Sequence, residues 1–153
     1  MPSTTLLTSL LRRAQTDRDQ AAALLRQAEQ LAQQAQAQGR DLREYQQDFD
    51  QRWVAHFRSA DSTALLHCRQ GFGQRLDQAI GVQTANTRQL DQRLTQARAL
   101  LLAREQRVAA VHKLINRRLS EQQKIADRHD QRHSDDAAQR ARSVAAAQAT
   151  EPH

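Results

Sequence analysis

Proline stands only at positions 2 and 152, so nothing between them forbids a helix for about 150 residues. Glycine occurs four times, at Gly39, Gly71, Gly73 and Gly81. Sheet sandwiches, βαβ folds and glycine-loop nucleotide folds need both residues in their turns, and their scarcity excludes those folds. Aromatic residues make up 3% of the chain: one Trp, one Tyr and three Phe. A globule of this size buries many large side chains, and this chain has few to bury. The single cysteine, Cys68, excludes an internal disulfide and gives no case for secretion. Strictly apolar runs such as Ala99–Ala103 stop at five residues, far short of the roughly 20 of a membrane span. Leu6, Leu7, Leu10 and Leu11 form an amphipathic pattern that Arg12 and Arg13 follow rather than precede, unlike a signal peptide. The expectation is a soluble, cytoplasmic protein.

What remains is helix-forming. The 153 residues suit one domain and include 26 Ala, 24 Gln, 21 Arg and 18 Leu. This is the composition of a long helix or coiled coil. The net charge is +6, and residues 104–142 carry ten basic and six acidic groups, which supply most of that excess. An acidic partner would be drawn to that third first, although the interspersed signs also suit a solvated helix face.

A seven-residue repeat runs through the first half. One stripe is Leu7, Ala14, Ala21, Ala28, Ala35, Leu42, Phe49 and His56. Three residues on lies a second: Leu10, Asp17, Leu24, Leu31, Gln38, Tyr45 and Arg52. Repetition over about six heptads is a coiled-coil pattern, and these two stripes are expected to form its seam. The pattern stops after Phe57, where Ser59–Thr63 is a cluster of small polar residues. Such residues cap helix starts, so a turn is expected over 58–64 with a cap near Asp61 or Ser62.

A further stripe follows: Leu65, Phe72, Leu76, Ala79, Gln83, Asn86, Leu90, Leu94, Ala97, Leu101, Arg104, Val108, Val111 and Ile115. Its steps are threes and fours, with two fours together at Asn86–Leu90–Leu94, which reads as a stutter. Gly71, Gly73 and Gly81 are expected to soften this helix by about 1 kcal/mol each. The fold class is therefore all-α, with two long helices in an antiparallel coiled-coil hairpin. Helix 1 spans about 4–57 and helix 2 about 65–142, so residues 1–142 form a single hairpin and 143–153 a flexible tail. A turn near residue 60 pairs positions that sum to about 121, placing Phe49 opposite Phe72, Leu31 opposite Leu90 and Leu24 opposite Ala97. At about 1.5 Å per residue the helices measure roughly 80 and 115 Å, so the second overhangs the first.

Catalysis requires a concave, water-excluding site, and a two-helix hairpin offers none. His129 and His133 have the spacing of zinc ligands on one helix face, near Asp130 and Asp136, but no further His completes a cage. His67 and Cys68 are adjacent, and adjacent helical side chains diverge by about 100°, too far for a thiol–base pair. No cofactor, metal or small-molecule substrate is expected. Nucleic acid is also not expected, because acidic residues break up the basic ones and the C-terminal third lacks aromatics for stacking.

The segment Phe72–Gln83 resembles the pattern Phe-x-x-x-Leu-x-x-Ala-Ile-x-x-Gln of the FliJ family of flagellar type III export proteins. Upstream, Gln38, Leu42, Tyr45 and Phe49 are similar to that family's first-helix pattern, with Phe49 where Tyr is common. Lys113-Leu114-x-x-Arg117-Arg118 resembles its Lys-Leu-x-x-Arg-Arg segment. Residues 128–138 resemble a degraded form of its terminal motif, with Ser134 in place of Leu and His129 in place of Arg. The resemblance covers most of residues 6–138.

The resemblance implies a non-enzymatic stalk similar to the shaft of rotary ATPases. It would link the hexameric export ATPase to the membrane export gate and assist export chaperones, from the cytoplasmic side of the cell membrane. By the same resemblance, Gln38, Leu42, Tyr45, Phe49, Phe72, Leu76, Ala79 and Gln83 form the export-gate site. Charge assigns the ATPase contact to Arg117, Arg118, Lys124, Arg128 and Arg132, where a soft, long-range attraction would tolerate a ring of equivalent subunits. The alternatives are the equivalent stalk of a virulence-type secretion system, or a coiled-coil scaffold or nucleic-acid-associated protein.

Overall fold

The computed structural model describes residues 4–57 and 63–150. Two helices account for all of them except Thr150: α1, Thr4–Phe57, and α2, Thr63–Ala149. Alanine, Gln, Arg and Leu supply the helical propensity. Hydroxyl side chains conform by donating back to the carbonyl four residues earlier, as in Thr8 to Thr4 at 2.7 Å and Thr84 to Ile80 at 2.8 Å. Among the described residues none has positive φ, so none of the four glycines is used as a turn.

Two expected boundaries differ. Thr63 and Ala64 already belong to α2, while residues 58–62, including the expected cap, lie outside the described residues. At the other end α2 runs on to Ala149, so residues 143–149 are helical rather than a flexible tail. The alanines at 145–147 favour helix, and the next proline is at 152.

The chain divides into two compact units, one of residues 15–106 and one of residues 4–14 with 107–150. In the 15–106 unit the helices run antiparallel in the expected register. Phe49 stacks on Phe72 with ring centroids 4.7 Å apart, and Leu24, Leu31, Leu90 and Ala97 line one groove.

The seam itself differs from the expected one. Ala21, Ala35, Leu42 and Phe49 turn inward as expected, but Leu24, Leu31 and Tyr45 are exposed. The second inward row lies four residues on rather than three: Arg18, Leu25, Ala32, Gly39, Gln46 and Trp53. His56 and Arg52 are exposed. On α2 the inward residues are Arg69, Gly73, Leu76, Ile80, Gln83, Thr87, Leu90, Leu94, Ala97, Leu101 and Arg104. Their steps alternate four and three without a break, so the expected stutter is absent. It arose from placing Ala79 and Asn86 in the seam where Ile80 and Thr87 lie. The physical reason is that α1 supplies mainly small residues to the seam between Ala21 and Gly39. Ala32 and Gly39 are buried because the helices approach closely there, while larger apolar residues flank the contact.

In the other unit, Leu7, Leu11 and Ala14 turn inward on α1, and Val108, Val111, Ile115 and Arg118 on α2. Ala14 and Val108 are its buried centre. From Leu119 to Ala149 every residue of α2 is exposed.

Candidate functional site

Toward the C-terminal end of α1, four aromatic rings gather across the two helices. Phe72 meets Tyr45 edge-on at 6.3 Å and Phe49 at 4.7 Å, and Phe49 meets Trp53 edge-on at 6.1 Å. The Arg69 guanidinium lies 5.8 Å from the Trp53 ring centre, a cation–π contact that closes the cluster. Two helices cannot enclose rings of this size. Tyr45 remains 55% exposed and Phe72 39%, while Phe49 and Trp53 are half-buried. The result is a wet-sided aromatic patch on a rigid support, the kind of surface that docks a partner.

The eight residues that the resemblance assigned to a gate site do not form one surface. Tyr45, Phe49 and Phe72 come together as a ring cluster. Gln38 and Ala79 are exposed, one heptad along from Tyr45 and Phe72 respectively, so they extend the same flank. Leu42 and Gln83 line a smaller cavity of about 90 Å³ beside Gly39 and Ile80. Leu76 is buried between the helices, so no partner can reach it without opening the hairpin. Trp53 and Arg69 were not among the expected residues. The antiparallel register would have found them, since Trp53 and Arg69 stand opposite one another in it. It would also have pointed to Gln46 and Asp77, whose side chains hydrogen-bond across the helices at 2.7 Å.

The basic residues lie on α2 within the 4–14 and 107–150 unit. Arg117, Lys124, Arg128 and Arg132 fall on one helix face by their spacing, with Glu121 inside the stripe. Glu121 pairs with Arg117 at 3.5 Å, an exposed contact of small energetic weight. Arg118 sits apart from this stripe. It is half-buried and lines an open groove with Leu7 and Leu114. Lys124, Arg128 and Arg132 are exposed.

His129 and His133 approach edge-on at 5.3 Å, yet among the described residues no group of three or more His, Cys, Asp or Glu is placed to hold a metal. Cys68 and His67 are both exposed. Among the described residues no helix is long and apolar enough to cross a membrane.

No curated protein and no solved structure gave a significant match to the chain. The family model described as flagellar FliJ protein does match, over residues 4–146. That span takes in all of α1, α2 as far as residue 146, the aromatic patch and the basic stripe, so the chain belongs to the flagellar FliJ family.

Proposed function

We propose that this protein is a non-enzymatic stalk of the flagellar type III export apparatus, joining the export ATPase ring to the membrane export gate and assisting export chaperones. Family membership supports the export role in general terms. The single observation that carries the finer reading is the half-exposed aromatic patch of Tyr45, Phe49, Trp53 and Phe72. A purely structural coiled coil gains nothing from leaving rings wet, whereas an aromatic anchor on a rigid support concentrates binding energy. This patch is the proposed gate contact, with Gln38 and Ala79 at its margin. The exposed basic stripe of Arg117, Lys124, Arg128 and Arg132 is the proposed ATPase contact. Docking to the gate would hold the protein at the cytoplasmic side of the cell membrane.

The experiment is the double variant Tyr45→Ala and Phe72→Ala, measured for binding to the purified cytoplasmic domain of the export gate protein. Binding should fall strongly while the helical circular dichroism signal stays near that of the parent. Unchanged binding would remove the gate assignment. A collapse of helicity would show that the rings serve the hairpin instead.

A further inference from the structure

In an antiparallel hairpin the positions flanking the seam form two sides, conventionally g with g and e with e. Both sides normally carry charge. In the 15–106 unit they differ sharply. One side presents Glu29, Arg43 and Asp50 of α1 beside Asp77, Asp91 and Arg98 of α2. The other presents Leu24, Leu31 and Tyr45 of α1 beside Phe72 and Leu100 of α2, all exposed, with Asp17, Arg52 and Arg93 as its charged members. Leu24 is 52% exposed and Leu31 40%. These leucines border an open groove of about 370 Å³ whose floor includes Ala28, Leu90 and Ala97.

From this asymmetry we infer that the Leu24–Leu31–Leu90–Leu100 groove is a docking site for an amphipathic helix of a partner protein that carries carboxylates beside its apolar stripe. The inference stands on the packing of the hairpin and is independent of the export role proposed above. Three observations select the occupant. Leu24 and Leu31 are one heptad apart, as are Leu90 and Ala97, which is about 10.5 Å along each helix. That spacing matches the i, i+3, i+4, i+7 stripe of a third helix laid along the hairpin. Next, Arg93 is the charged residue among those lining the groove, and it has no carboxylate partner among the described residues. A helix with glutamates on its flank would supply one. Finally, a second copy of this chain fits poorly. Paired groove to groove, it would set a second Arg93 against the first, with no carboxylate in either lining.

The probe is a fluorescein-labelled designed helix of about 21 residues, three heptads long, with leucine at the apolar positions and glutamate beside them. Its binding to the full chain is followed by anisotropy, alongside a version with lysine in place of glutamate. The glutamate helix should bind saturably and more tightly than the lysine helix. Leu24→Gln with Leu31→Gln should weaken it by about tenfold or more, and Arg93→Glu should invert the preference toward the lysine helix. Because Arg93 is exposed, that variant keeps the test decisive even if the leucine pair proved to disturb folding. Tyr45→Ala with Phe72→Ala should leave this binding unchanged, which separates the groove from the aromatic patch. Equal binding of both helices would overturn the inference. So would indifference to the leucine changes, or sedimentation showing a dimer that Leu24→Gln with Leu31→Gln dissociates.

Discussion

The side-chain amide of Gln83 donates a hydrogen bond to the backbone carbonyl of Ala35, 2.7 Å away on the other helix. Within α1 that carbonyl already lies in line to accept from Gly39, four residues on. A carbonyl has two lone pairs, so it can serve both. The contact requires the helices to be close, and Ala35 and Gly39 make them so by presenting almost no side chain.

Gln83→Ala should therefore destabilise the hairpin by about 1 kcal/mol, the net worth of one hydrogen bond. The Ala35 carbonyl keeps its helical partner, so no orphaned group adds to the loss. Urea unfolding followed by circular dichroism would register it, and an unmoved midpoint would mean the bond contributes nothing.

Gly39→Ala should work in the opposite direction. A methyl group there would meet the Arg43 guanidinium at 3.8 Å and the Gln83 side chain at 3.9 Å, which is ordinary contact. The backbone φ at Gly39 is not positive, so alanine fits without strain. Restricting the unfolded chain should then raise stability by about 0.4–1 kcal/mol. A loss on the same urea curve would show that the approach at this point is tighter than it looks.

Two adjacent residues distinguish the observed seam from the expected one. Ala32 is buried and Leu31 is exposed. Ala32→Leu should cost about 1–3 kcal/mol by overpacking, whereas Leu31→Ala should cost much less than the roughly 2–5 kcal/mol of a core leucine. If the two costs came out in the reverse order, the seam would run through Leu24 and Leu31 after all.

The register can be measured directly. With Cys68→Ser removing the one native thiol, spin labels at positions 24 and 97 should lie on the order of 15 Å apart, given helix axes 8–10 Å apart. The distance should persist on dilution with unlabelled protein. Its disappearance under dilution would point to pairing between chains.

The proposed ATPase contact should respond to salt. Lys124 and Arg128 are exposed and touch no seam, so Lys124→Glu with Arg128→Glu should spare the fold. It should nevertheless abolish stimulation of the export ATPase. Stimulation by the parent protein should weaken as the Debye length shortens from about 10 Å at 0.1 M salt to about 3 Å at 1 M. A contact indifferent to both changes would have to be apolar, with Leu114, Leu119 and Ile125 as the exposed candidates on the same helix.

The hairpin and its register were legible because they depend on coarse features. The missing prolines permit two long helices, and the polar cluster after Phe57 points to where the first would end. The opposition of Phe49 with Phe72 and of Leu31 with Leu90 then follows from counting. The rotation of each helix about its own axis was not legible to the same degree. Large apolar side chains dominate any periodicity, and here several of them, Leu24, Leu31, Tyr45 and Phe72, flank the contact. Alanine and glycine carry almost no hydropathy signal, yet Ala32 and Gly39 sit at the interface. The same bias hid Trp53 and Arg69, because an arginine turned inward over an indole does not register as a seam residue. It also fused two surfaces into one candidate site, since a sequence pattern cannot separate buried Leu76 from exposed Ala79.

The alanine seam has a thermodynamic corollary. Four of the six buried apolar residues among those described are alanines. The heat capacity of unfolding tracks the apolar area newly exposed to water, at about 12–15 cal/mol/K per residue for ordinary globular domains. A contact to which one helix brings mainly methyl groups hides less area per residue, so this chain should fall below that range. Its stability curve is then shallow, changing little between a cold and a warm cell. Melting is broad for the same reason, with the small enthalpy of a thin interface spread along many residues.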